Sequence, residues 1–152
     1  MLQAFANATA PQEVYFGPPD ATVLMTAEKV RLQAVDLVAQ NKLQEAMDLV
    51  GQALEQHPYS QGLLAMMGLI CEVRHDWQQA RNFLEKLAVL QADSVTAQTL
   101  GHLVRVIRCQ GLLAQALHQA EKGLELYPAD EMLQSEVATL HSMIVTEAMN
   151  RA

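Results

Sequence analysis

The chain has 152 residues, a formal net charge of −7 and a sequence pI near 5.1. An acidic chain without a basic run lacks the positive surface that nucleic-acid-binding proteins use, so we expect no nucleic-acid partner. The composition is 51% hydrophobic but only 5% aromatic, with seven glycines, which favours packed helices over sheets. Charged residues make up 18%, less than the roughly 25% typical of soluble domains, and this predicts apolar surface left for a partner or for self-association.

The N-terminal sequence MLQAFANATAPQE has no basic region and no sustained apolar run, so we expect it to remain uncleaved and the protein to be cytoplasmic. No stretch approaches the roughly 18 apolar residues that cross a bilayer, and we expect no membrane insertion. Cys71 and Cys109 are too few for a disulfide framework and fall in predicted helices, which predicts buried, reduced thiols.

Residues 1–22 differ from the rest of the chain, because Pro11 and the run Phe16-Gly17-Pro18-Pro19 oppose helix formation. We interpret them as an extended, proline-containing N-terminal arm. Tyr15 and Phe16 are two of only six Phe and Tyr residues in the chain. We therefore expect this arm to dock in a groove of its own chain or of a neighbouring copy; loose packing against the first pair of helices is the alternative.

Beyond the arm, three segments align with one another, and each carries an alanine at the same position: Ala46, Ala80 and Ala116, spaced by 34 and 36 residues. The segments are Asn41–Pro58, His75–Ala92 and Gln110–Pro128. Another stretch with three- and four-residue apolar steps precedes each one: Ala27–Gln40, Gln61–Arg74 and Ala97–Cys109. The short linkers make successive helices antiparallel neighbours, so residues 23–129 are predicted to form three helical hairpins.

A seventh helix, Asp130–Asn150, follows Pro128, and we assign residues 130–152 to a C-terminal capping helix. Its outer face should be polar if it caps the array. Thr26 is a candidate cap for the first helix.

The period and the recurring alanines resemble the tetratricopeptide repeat (TPR) family, whose unit has 34 residues and ends in a proline, as Pro58 and Pro128 do here. The resemblance covers about Ala27 to Pro128. It implies an all-α fold of antiparallel hairpins stacked as a right-handed superhelix, in which the alanines lie where the two helices of a hairpin cross. In size, acidity and layout the chain is similar to small bacterial TPR secretion chaperones, although no motif is specific to them.

The resemblance also implies that the first helix of each hairpin lines a concave groove. The groove positions are Arg31, Leu32, Val35, Val38, Ala65, Met66, Leu69, Glu72, Val73, Gln98, His102, Arg105 and Arg108. Apolar in its first part and cationic at its end, this groove would suit a peptide with apolar anchors and an acidic end. The alternative is that the apolar residues pack against neighbours and the arginines are solvated.

Family members that grip the C-terminal tails of heat-shock chaperones carry Lys, Asn, Asn, Lys and Arg at matching positions. Here those positions hold Arg31, Val35, Met66, Gln98 and His102. Only the first is cationic and neither asparagine is kept, so the resemblance does not carry over that carboxylate clamp.

The sequence holds no phosphate-binding loop, nucleophile elbow or zinc-protease motif, so we expect no enzyme and no cofactor. Cys71 with His75 and His102 with Cys109 are spaced to share helix faces, but such pairs arise by chance and we predict no metal site. We therefore predict a non-enzymatic scaffold, an adaptor or chaperone that binds a protein or peptide partner. The alternative is a self-assembly module that forms homo-oligomers through its repeats and arm.

Overall fold

A computed structural model describes residues 26–152, and all regular secondary structure within that range is helical. A single turn of 3-10 helix, Ala92–Ser94, accompanies the α-helices. These are α1 (Ala27–Ala39), α2 (Leu43–Gln56), α3 (Gln61–Val73), α4 (Trp77–Gln91), α5 (Ala97–Cys109), α6 (Leu113–Leu126) and α7 (Glu131–Arg151). Of the helices between residues 26 and 152, none combines the length and the hydropathy needed to cross a membrane.

The chain divides into two compact units, one ending at Arg74 and one running from His75 to Ala152. In the first unit, α1, α2 and α3 all pack against one another. In the second, α5 packs against α4, α6 and α7, and α6 also packs against α7. The all-α class predicted from the sequence is confirmed, and the predicted helix bounds agree with the observed ones to within about two residues at the ends of α1, α3, α5 and α7.

Side-chain caps explain where several helices begin. The Thr26 hydroxyl accepts a hydrogen bond from the Lys29 amide at 3.1 Å, which confirms the predicted cap of α1. Equivalent caps come before α3, α4, α5 and α7 from Ser60, Asp76, Thr96 and Asp130. Each supplies an acceptor to an amide of the first turn that has no partner within the helix.

A residue with positive φ follows the first helix of every hairpin. Asn41, His75 and Gly111 have φ values of 61°, 60° and 83°. After α1, the amide of Lys42 donates to the carbonyl of Leu37 at 2.8 Å, closing the helix in the left-handed C-terminal motif that favours Gly and Asn. Histidine is less usual there; the ring of His75 stacks on that of Trp77, with centroids 5.1 Å apart.

The three repeat-defining alanines are completely buried. Ala46, Ala80 and Ala116 are each 0% exposed, as is Ala34 on α1. Small side chains at these sites allow neighbouring helices to approach closely, as the repeat alignment predicted. The burial that the repeat alignment predicted for these alanines is thus confirmed.

The longer spacing of 36 residues between the second and third alanines has a local cause. Helix α4 ends at Gln91, and the following Ala92, with φ of 48° and ψ of −118°, turns the chain sharply into the 3-10 turn before α5. The Tyr127 hydroxyl, after α6, donates to the carbonyl of Val95 in this connection. The additional residues therefore form an ordered link that is tied to the next hairpin.

Helix α7 is the longest, with 21 residues, which corresponds to about 31 Å at 1.5 Å per residue. Leu133 and Leu140 on its inner face are fully buried, but every residue after Leu140 except the half-buried Ile144 is exposed. Met143, Val145 and Met149 are among them, so the predicted polar outer face holds only for the first half of the helix, where the exposed residues are polar apart from Ala138.

Both cysteines are free thiols. Cys71 is completely buried, as predicted, whereas Cys109 lies in the last turn of α5 and is only half-buried. The prediction of two buried thiols is therefore confirmed for Cys71 alone.

Candidate functional site

A group of exposed apolar side chains lies on the first helices of the first two hairpins. Leu32 and Val35 on α1 are 52% and 41% exposed, and Leu69 and Val73 on α3 are 38% and 45% exposed. Ala65, one turn before Leu69, is also exposed. We call these five residues the apolar strip.

Helical spacing accounts for the strip. On α1, Val30 and Ala34 are directed into the core, and the three-residue step from Leu32 to Val35 runs along another face. On α3, buried residues occupy most of the circumference, and the four-residue steps from Ala65 through Leu69 to Val73 follow the remaining face. A helix that is apolar on nearly every face, as α3 is, therefore leaves apolar side chains on its open face.

The two helices pack against each other, and Gly62 marks a close contact between them. A Cβ atom at Gly62 would lie 3.3 Å from Cδ of Arg31, so the aliphatic stem of this arginine passes directly over the glycine. Small size at position 62 therefore allows the Arg31 side chain to lie between the two helices, beside the strip.

The charge of Arg31 is already paired. Its Nε donates to Glu28 Oε1 at 3.0 Å and its terminal nitrogen donates to Glu28 Oε2 at 2.6 Å. These hydrogen bonds lower the pKa of Glu28 and raise that of Arg31, burial opposing both shifts slightly. Consequently the predicted groove position Arg31 offers an ion pair in place of an isolated cation.

Several residues assigned to the groove from the sequence are not open to a ligand. Met66 and Glu72 on α3 are 6% and 7% exposed, and Val38 on α1 is half-buried. Met66 and Glu72 lie three residues from Leu69, on either side of it along the chain, and both belong to the buried part of the helix. The open part of the predicted site in the first unit thus consists of the five strip residues, Leu32, Val35, Ala65, Leu69 and Val73.

In the second unit, the predicted residues Arg105 and Arg108 on α5 face a carboxylate of the same chain. Arg108 binds Glu136 of α7 through two hydrogen bonds, from Nε to Oε1 at 2.7 Å and from its terminal nitrogen to Oε2 at 3.2 Å. The Nε atom of Arg105 lies 3.9 Å from Glu136 Oε2. His102, one turn earlier, is half-buried.

The Glu136 side chain is only 8% exposed and that of Arg108 is 22% exposed, so this pair is largely shielded from water. The hydrogen bonds to Glu136, and secondarily its charge, raise the pKa of Arg108 against the opposing effect of burial. The arginine end of the predicted groove therefore already holds an acidic group, supplied by α7.

Glu136 is the functional-site residue that the sequence reading missed. It lies three residues after Leu133 and four before Leu140, on the buried face of α7. A carboxylate at a core position of an amphipathic helix signals a buried cationic partner, because an unpaired buried charge is very costly.

No group of three or more His, Cys, Asp or Glu residues between positions 26 and 152 is arranged to hold a metal ion. Tyr15 and Phe16, the predicted arm contacts, lie outside the described residues. The apolar strip is the candidate binding surface of the first unit.

Comparison with known proteins gives matches in structure only. No protein-family model and no curated protein sequence matches the chain. Solved TPR domains do match. The first TPR of Spaghetti (RPAP3) bound to the HSP90 peptide SRMEEVD has a TM-score of 0.70 at 16% identity, covering 78% of this chain and 93% of that one. The Sgt2 TPR domain from Aspergillus fumigatus has a TM-score of 0.70 at 19% identity, with coverages of 83% and 82%.

A third match is the second TPR domain of human RPAP3 in complex with the HSP70 peptide SGPTIEEVD, with a TM-score of 0.68 at 13% identity. It covers 76% of this chain and 94% of the human domain. These likenesses establish that the chain has a TPR-like fold, as its sequence predicted.

Proposed function

We propose that the chain is a non-enzymatic scaffold, a cytoplasmic adaptor or chaperone that binds a partner segment through the apolar strip. The observation that carries this proposal is the exposure of four large apolar side chains, between 38% and 52%, on adjacent first helices of a TPR-like fold. Two structural neighbours are complexes with peptides, which supports peptide binding by a chain of this fold.

The chemistry of the strip selects the kind of ligand. Leu32, Val35, Leu69 and Val73 present aliphatic groups only, and the neighbouring Arg31 is paired with Glu28. A segment with two or more large apolar side chains would gain hydrophobic burial of about 25 cal/mol per Å². An extended segment or an amphipathic helix could place such side chains at suitable intervals.

We do not propose an acidic end for the ligand, although the sequence predicted one from Arg105 and Arg108. A ligand carboxylate at Arg108 would have to replace Glu136, whose oxygens already make a paired, charge-assisted contact with the guanidinium. The acidic tails of heat-shock chaperones are not proposed as ligands for the same reason. In addition, the clamp residues that bind such tails are missing from the sequence.

A charge placed in the strip should weaken binding. We expect peptides selected from a displayed random library on the full chain to be rich in Leu, Ile, Phe and Tyr. Leu69→Asp should weaken their binding about tenfold or more, equivalent to at least about 1.4 kcal/mol, because a carboxylate must then be desolvated against apolar groups. Fluorescence anisotropy with labelled peptides measures this.

The matched control is Val89→Asp on α4, a residue that is 77% exposed and lies outside the strip. Its effect should stay within about twofold. Equal losses in the two variants, or a library that yields no apolar sequences, would contradict the proposal.

A second candidate function, homotypic assembly, is favoured by the exposed C-terminal half of α7. Met143, Val145 and Met149 are 37%, 57% and 70% exposed on a helix that continues three turns past its last fully buried residue, Leu140. A second copy could cover such a surface.

If α7 mediates assembly, light scattering should give a mass above 16.8 kDa that rises with concentration. Val145→Lys combined with Met149→Lys should return it to the monomer, while Val89→Lys should leave the assembly intact. A monomer mass for the native chain up to millimolar concentration would rule this function out.

A further inference from the structure

We infer that the chain's own segment Val14–Pro19 occupies the apolar strip in cis and competes there with partner segments. This inference rests on the proposed role of the strip as the binding surface and adds its regulation. The segment's point of attachment, its reach, its chemistry and its effective concentration at the strip all support this inference.

The point of attachment is fixed by the cap of α1. Thr26 accepts the Lys29 amide and α1 begins at Ala27, so residues 1–25 join the fold at the N-terminal end of this helix. Leu32 and Val35 lie five and eight residues into α1, about 8 Å and 12 Å along its axis. The strip therefore begins close to the point where the segment is attached.

The segment is long enough to reach the strip. Nine residues lie between Phe16 and Thr26, so ten Cα-to-Cα steps connect them. Such a connector spans at most about 33–36 Å when extended, and a flexible one has a root-mean-square length of about 17 Å. Both values exceed the distance of about 12 Å to Val35, so the chain can turn back along α1 without strain.

The chemistry of segment and strip is matched. Val14, Tyr15 and Phe16 are uncharged and are followed by Gly17 and two prolines, which have little side-chain entropy to lose on binding. Tyr and Phe side chains each bury about 150–250 Å² when covered. The strip offers aliphatic groups that suit aromatic side chains, and the guanidinium of the neighbouring Arg31 is already paired with Glu28.

Attachment to the same chain decides between docking in cis and docking in trans. A short connector presents the segment to the strip at an effective concentration on the order of millimolar, whereas a second copy would have to be present at that concentration in solution to compete equally. Intramolecular docking therefore dominates in dilute solution.

The contact can be mapped directly in the full chain. We would replace Phe16 with the photoreactive p-benzoylphenylalanine, irradiate an equal mixture of ¹⁴N- and ¹⁵N-labelled protein, and identify the linked peptides by mass spectrometry. The expected result is linkage to α1 or α3 peptides that carry the strip, within single chains of one isotope. Mixed-isotope products, linkage to other helices, or no linkage would overturn the inference.

A binding measurement tests the competition. The probe is a labelled synthetic peptide with the sequence of residues 12–20, QEVYFGPPD, added to the full chain. Tyr15→Ser with Phe16→Ser should vacate the strip and raise the affinity for this probe about tenfold, and adding Leu69→Asp should abolish that gain. Leu2→Ser with Phe5→Ser, which changes apolar residues elsewhere in the same arm, is the control and should leave the affinity unchanged.

An unchanged affinity in the Tyr15 and Phe16 variant would overturn the inference. The two proposals fail in different ways. If library peptides bind the strip but residue 16 does not link to it, only the arm inference is wrong. If residue 16 links to the strip but library peptides bind neither the native chain nor the Tyr15→Ser, Phe16→Ser variant, the strip is an intramolecular packing site and the proposed function is wrong.

Discussion

Leu133→Ala should lower the free energy of unfolding by about 3 kcal/mol, within the range of about 2–5 kcal/mol found for buried leucines. Leu133 is 0% exposed, and its methyl groups come within 3.1 Å and 3.2 Å of the position that a Cβ would occupy at Gly123. The glycine on α6 thus makes room for the leucine on α7. Because α6 and α7 are already packed at this point, the helices cannot close the cavity that the substitution leaves.

Urea and thermal unfolding followed by circular dichroism measure the loss. A chain of this length should show a fall in melting temperature of about 6–12 °C for 3 kcal/mol. Val145→Ala on the same helix is the control, since Val145 is 57% exposed and its truncation should cost less than about 0.5 kcal/mol. A loss below 1 kcal/mol for Leu133→Ala would show that α7 does not unfold together with the rest of the second unit.

Glu136→Ala should cost about 2 kcal/mol, because it leaves the largely shielded Arg108 guanidinium without its acceptor and removes the carboxylate nearest to Arg105. Glu136→Gln should cost less, since one oxygen can still accept from Arg108 Nε. Both variants should weaken the attachment of α7 to α5, and hydrogen exchange of α7 amides should show it.

The comparison is Glu147→Ala, which removes the carboxylate paired with Arg151 farther along α7. Those side chains are 50% and 72% exposed, so that pair should contribute little. If the two alanine variants are equally stable, the Arg108–Glu136 contact contributes no more to stability than the exposed Glu147–Arg151 pair.

The effect of pH on the Arg108–Glu136 contact follows from the direction in which the pKa of Arg108 is shifted. The pKa of Arg108 is raised above its usual value, so its stabilising contribution is fully present below that usual value and is lost only as pH rises through the raised one. The arginine therefore causes no loss of stability between pH 6 and pH 10, and a stability difference between native and Glu136→Ala should be constant over that range.

The fold could be predicted from the sequence because its signals are local and periodic. Three- and four-residue apolar steps predict helices, the recurring alanines predict close crossings, and short connections predict antiparallel neighbours. Ala46, Ala80 and Ala116 are all completely buried as a result. The Thr26 cap was predictable for the same reason, since cap and amide lie three residues apart.

The candidate site could be predicted only in part. Val35, Ala65 and Leu69 are exposed, as a groove position requires, whereas Met66 and Glu72 on the same helix are buried. Neighbouring positions on a mostly apolar helix look alike in sequence, and their exposure depends on helices that are remote along the chain.

By itself, then, the sequence determined the helices, their pairing into hairpins and the register of their small residues, because each depends on residues a few positions apart. Only the tertiary structure decided which apolar side chains remain open, and that Arg108 is held by Glu136, 28 residues away. Exposure and ion pairing depend on how helices that are remote along the chain pack together, so the local spacing of residues does not determine them.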